Sequence, residues 1–143
     1  MLLPIEGFHH VAVQVRDVAR VAAFYVDVLG LPEVRRFQRD DGSLRSVWVS
    51  VASEPSRAAG FLAVEAAPAE TPDGVLGFSM LALRISAASR PAIVEALIQR
   101  GVVIEKQTGW TTYFRDPEGN LVGLSHHPDD AVAGTGGERG ATR

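Results

Sequence analysis

Between Phe8 and Val15 the chain alternates with a period of two. Val11, Val13 and Val15 fall on one side, and Phe8, His10, Ala12 and Gln14 on the other. That is the pattern of a strand with one face buried. The period then lengthens. Val18, Val21, Ala22, Tyr25 and Leu29 recur at helical spacing over about 17–29. Asp17 stands at the cap, Gly30 follows as a left-handed stop, and Leu31-Pro32 leads away. Three further strands are expected at about 33–39, 44–51 and 60–66, with Asp41-Gly42 turning the first into the second.

The same order returns 70 positions later, with Phe78 over Phe8, Ala82 over Ala12, and Leu81, Leu83 and Ile85 over the three valines. A helix is expected over about 89–100, capped by Ser89, with Pro91 near its start. Ile93, Leu97 and Ile98 form its apolar stripe and Gly101 ends it. Strands follow at about 102–107, 110–115 and 120–126, the last entered through Asp116-Pro117-Glu118-Gly119-Asn120. A strand, a helix and a glycine stop matched at one offset indicate duplication. The expected fold class is therefore α+β: two βαβββ modules, 7–66 and 78–127, with a linker at 67–77. Together they form one domain over 1–128. Residues 129–143 have almost nothing to bury and read as a disordered tail.

Alternation also assigns the faces. The aliphatic set of each first strand belongs under the helix, which leaves His10, Ala12 and Gln14, and then Met80, Ala82 and Arg84, facing a cleft. By the same reasoning Ser46, Trp48 and Ser50, and Phe61, Ala63 and Glu65, face the cleft. In the later strands Trp110, Thr112 and Phe114, and Gly123, Ser125 and His127, are assigned to it. The expected lining is aromatic with a few polar points, the composition of a small-molecule pocket. Candidate ligand-binding residues are Gln14, Trp48, Arg84, Trp110 and Phe114. The pair His126-His127 reads as a strand end running into the tail.

Composition narrows the function classes. The net charge is −3, from 14 basic and 17 acidic residues, and the basic residues are scattered. Nucleic acid is not the expected partner. No apolar run reaches membrane-spanning length, and the start MLLPIEGF carries no secretory pattern, so a cytoplasmic home is expected. Cysteine is absent, which excludes disulfides and a thiolate nucleophile. No phosphate loop, dinucleotide fingerprint or serine–histidine–acid motif is present, so kinase, dehydrogenase and hydrolase readings have no support.

Three motifs carry a resemblance: HHVAVQVRD at 9–17, FYVDVLGL at 24–31 and FRDPEGNLVGL at 114–124. In this order they resemble the vicinal oxygen chelate superfamily, which includes glyoxalase I, fosfomycin-resistance proteins, extradiol dioxygenases and bleomycin-binding proteins. The resemblance spans about 7–127. It implies two modules curled around a cleft and a homodimer. In metal-dependent members the first and last strands of each module supply four ligands to Zn, Ni, Fe or Mn. Carried onto this chain, those positions are His10, Glu65, Met80 and Gly123. Only His10 and Glu65 offer atoms suited to such ions, because a thioether is a poor ligand for them and glycine has none. No tightly bound metal is expected. Two functions remain open. One is a small-molecule-binding protein with a degenerate metal site, taking an aromatic or anionic ligand. The other is a superfamily enzyme, a lyase, isomerase or dioxygenase, with His10 and Glu65 as its catalytic residues, with or without a divalent metal.

Overall fold

The structure, a computed structural model, describes residues 8–55, 59–78 and 80–128. It divides into two units after Gly77. The first opens with β1 (His10–Val15), and Asp17 then caps α1 (Val18–Ala23) by accepting from the Arg20 amide at 3.0 Å. The helix widens into a π-helical turn over Phe24–Val28 before Gly30, at φ 72°, releases the chain. Strands β2 (Glu33–Gln38), β3 (Leu44–Ser50) and β4 (Phe61–Ala66) complete a sheet in the order β1-β4-β3-β2. Strands β1 and β4 are parallel, and the other neighbours are antiparallel.

One face of this sheet is the core. Val13, Val15, Val47, Val49, Leu62 and Val64 are buried there, with Val18, Val21, Ala22 and Tyr25 from the helical segment. Burying one valine or leucine is worth roughly 1.5–3 kcal/mol, so this face holds the helix to β3 and β4. The Asp41-Gly42 turn forms as expected. Asp41 Oδ1 accepts from the Ser43 amide at 2.9 Å and its hydroxyl at 2.6 Å, which holds the Asp41 carboxyl below its usual pKa. The segment 67–77 is tied back to this unit by Arg16. Its guanidinium donates to the carbonyls of Pro68 and Thr71 and pairs with Asp73 at 2.9 Å.

The second unit holds β5 (Leu81–Arg84), α2 (Arg90–Gln99), β6 (Lys106–Gln107), β7 (Thr111–Arg115) and β8 (Leu121–Ser125), in the sheet order β5-β8-β7-β6. Its last turn is closed by buried Asp116. One carboxylate oxygen accepts from the amides of Glu118 and Asn120, and the other from Asn120 Nδ2. Three expectations are corrected. The sixth strand is confined to Lys106–Gln107, because the Val102 amide bonds back to Leu97 as the helix ends. Ser89 has helical dihedrals and caps nothing with its side chain; the Ser86 hydroxyl accepts from the Ser89 amide instead. Ile98 is exposed, since it lies one position round the helix from buried Leu97. The expected tail, 129–143, lies outside the described residues.

The interior of this unit contains a charge. Arg90, at the first position of α2, is 2% exposed. Its Nε donates to Thr112 Oγ1 at 3.1 Å. Its Nη2 donates to the Thr108 and Thr111 carbonyls at 2.8 and 3.2 Å and to Gln107 Oε1 at 3.3 Å. Nη1 lies 3.2 Å from Nε2 of buried His126. Arginine only donates, so His126 accepts at Nε2. Burial pulls the guanidinium below its ordinary pKa without neutralising it. Replacing Arg90 with Met strands several buried acceptors at once. We expect a loss of about 3 kcal/mol in urea unfolding, with Arg90→Lys failing to restore it because an ammonium cannot span the same fork. Equal stability of Arg90→Met and the parent would refute this.

Candidate ligand-binding face

The face of the first sheet opposite α1 is built in cross-strand rows, because residues paired in register project the same way. His10, Phe61 and Ser50 form one row; Ala12, Ala63, Trp48 and Arg35 the next; Gln14, Glu65, Ser46 and Phe37 the third. Successive rows stand about 7 Å apart along the strands.

The first two rows carry an aromatic stack. The His10 and Phe61 rings are near-parallel, at 7° and 4.9 Å, and Trp48 lies on Phe61 at 4.3 Å and 23°. Phe37 packs at 5.0 Å on Trp48, and the guanidinium carbons of Arg35 and Arg45 lie 5.0 and 5.2 Å from the Phe37 ring centre. These are cation–π distances. His9 turns its Nδ1 to within 2.8 Å of His10 Nδ1, so Nε2 is the nitrogen of His10 left for a ligand. His9 was not singled out from the sequence, where it is one of two adjacent histidines with nothing to separate their roles.

The third row is polar. Glu65 is half-buried and has no hydrogen bond or ion pair among the described residues. Beside it Ser46 is 5% exposed, and its Oγ has no partner among them. The register sets Glu65 against Gln14 and Ser46, four residues along β4 from the partner of His10. His10 and Glu65 therefore stand about 13 Å apart along the strands. That is beyond the joint reach of an imidazole and a carboxylate. The expectation that these two act on one atom is corrected: a parallel pairing decided the register, and the spacing within each strand could not reveal it.

In the second unit the corresponding face carries Ala82, Gly123, Tyr113 and Lys106 in one row and Arg84, Ser125 and Thr111 in the next. Phe114 pairs with Val122 and Leu81 on the side of Thr112, which Arg90 reaches from α2, and it is fully buried. The expected cleft set of Thr112 and Phe114 is thus reversed, and Thr111 and Tyr113 take the open side. Trp110 sits beyond the end of β7, its carbonyl accepting from the His126 amide and its ring edge-on to His127 at 5.3 Å. Arg84 is exposed on β5.

The metal positions of the family do not assemble within either sheet. Met80 precedes Leu81, the partner of Val122, so it does not share a row with Gly123. A Cβ at Gly123 would lie 3.2 Å from Thr111 Cγ2 and 3.5 Å from Tyr113 Cε1. Among the described residues no group of three histidines and carboxylates is placed to hold an ion.

The sequence profile of the Glyoxalase/Bleomycin resistance protein/Dioxygenase superfamily matches residues 7–124. The chain belongs to this superfamily. Solved structures of the same fold include lactoylglutathione lyase from Agrobacterium tumefaciens, 21% identical, with a TM-score of 0.65 over 87% of this chain and 96% of that one. Another is the fosfomycin resistance protein FosX from Listeria monocytogenes, solved with Mn(II) and a sulfate ion. It is 17% identical, with a TM-score of 0.63 over 87% and 95% of the two chains. An integron cassette protein from the mobile metagenome of V. Pseudocholerae is 21% identical, with a TM-score of 0.64 over 90% and 100%. No curated protein matches the chain. Among the described residues, this superfamily member has no helix long and apolar enough to cross a membrane.

The packing at Gly123 is testable. Thr111 cannot swing away freely, because its hydroxyl donates to Ser125 Oγ at 2.8 Å. Gly123→Ala is therefore expected to destabilise by about 1 kcal/mol, and adding Thr111→Ser, which removes Cγ2, to recover most of it. Thermal melts of the single and double variants check this; a Gly123→Ala protein as stable as its parent would contradict it.

Proposed function

We propose that this chain is a small-molecule-binding member of the superfamily with a degenerate metal site, and that its ligand is planar and lies on the face of the first sheet. The observation that carries this reading is the His10–Phe61–Trp48 stack, in which three rings line a face that, among the described residues, no helix of that unit covers. Flat aromatic rings recognise flat ligands at small entropic cost, because each has few rotamers to lose. In this reading His10 contributes an imidazole edge through Nε2. On the second unit Arg84 is the candidate contact for an anionic ligand, with Trp110 nearer the strand ends. The protein works in the cytoplasm as a homodimer, for which the unpaired outer strands of each sheet supply edges.

A catalytic role rests on His10 alone rather than on a His10–Glu65 pair. The contact with His9 favours it, since a histidine with one nitrogen held presents the other in a fixed direction. Elemental analysis after growth in metal-rich medium is expected to find well under one equivalent of Zn, Ni, Fe or Mn per chain. Titration with planar aromatics is expected to quench tryptophan emission in the parent but not in Trp48→Ala. A full equivalent of metal lost in His10→Ala would sink this reading in favour of a metal-dependent enzyme.

A further inference from the structure

At one end of the third row Phe37 packs on Trp48, but the rest of the row, Gln14, Glu65 and Ser46, has no part in the aromatic stack and carries no cation of its own. Glu65 offers two carboxylate oxygens, Ser46 an unpartnered hydroxyl, and Gln14 an amide, on three adjacent strands. The cations nearest in sequence and register, Arg35 and Arg45, are over the Phe37 ring. A buried hydroxyl without a partner costs free energy, and a half-buried carboxylate without a cation attracts one more strongly than it would in water. Between this row and the aromatic one lie only Ala12 and Ala63 on β1 and β4, so nothing bulky separates them there. The row is about 7 Å from the row of Trp48, close to the width of a fused bicyclic ring.

We propose that the Gln14–Glu65–Ser46 row is a subsite for the donor-bearing, positively charged end of a planar ligand whose ring lies along Trp48 and Phe61. The ligand class is a protonated amino-substituted heteroaromatic. The amino group donates to Glu65 and Ser46, Gln14 closes the outer side, and the ring takes the place of water over the stack. An anionic group at this end meets the Glu65 carboxylate, while the Arg35 and Arg45 guanidiniums are held at the Phe37 end of the row. This inference rests on the planar-ligand reading above and adds the sign of the charge.

Two isosteric probes separate the possibilities: 4-aminoquinoline, cationic near neutral pH, and quinoline-4-carboxylate. Calorimetric titration at pH 7 is expected to show the amine binding roughly tenfold tighter or more, the scale of one charge-assisted hydrogen bond. Glu65→Gln abolishes that preference, and Ser46→Ala weakens the amine several-fold. Gln14→Leu, at an exposed position, reads the same row should Glu65→Gln fail to fold. Trp48→Ala removes binding of both probes. Equal affinity for both probes, still dependent on Trp48, overturns the charged subsite and leaves the planar-ligand reading standing. No Trp48-dependent binding of either probe overturns both.

Discussion

The parallel pairing of β1 with β4 decides what the first sheet can do. Once His10 lies opposite Phe61, every other row follows, because a strand cannot slip by one residue without turning its buried valines to solvent. Val13, Val15, Leu62 and Val64 fix that choice from the α1 side. The open face inherits it. The imidazole and phenyl rings of His10 and Phe61 lie at one end, a carboxylate and a hydroxyl at the other, with the Trp48 indole and two alanines in the row between. The chemistry of the face is thus a by-product of how the core is packed.

The second sheet shows the same dependence with different residues. At two of the positions that the resemblance assigns to metal ligands, this chain has Met80 and Gly123. The space over the glycine is already closed by Thr111 and Tyr113. The structural likeness to lactoylglutathione lyase and to FosX is a likeness of fold.

Much of this was legible in the chain. The helices, the glycine stops at Gly30 and Gly101 and the turns at Asp41 and Asp116 depend on neighbours a few residues away, and local patterns report local contacts. The strand Thr111–Arg115 misled because threonines and aromatics fall on both of its faces, so hydropathy offers no contrast to set its parity. The separation of His10 from Glu65 was invisible for another reason. It depends on how two strands about 50 residues apart are aligned, and alternation gives the face of each but not their offset. Arg90 falls inside the helix expected over 89–100, and nothing in a charged residue at a helix terminus announces a place in the interior.

That arginine has a consequence for how the second unit comes together. Its guanidinium is answered by neutral oxygens and one imidazole, drawn from the segment 107–112 and from His126. No subset of these compensates a charge withdrawn from water. A half-assembled unit, with α2 docked and either strand β7 or the end of β8 still loose, would hold a buried cation with too few partners. Such states are penalised more heavily than they would be around an apolar side chain. The guanidinium therefore sharpens cooperativity: it raises the partly folded states around the native minimum more than an apolar side chain in its place would.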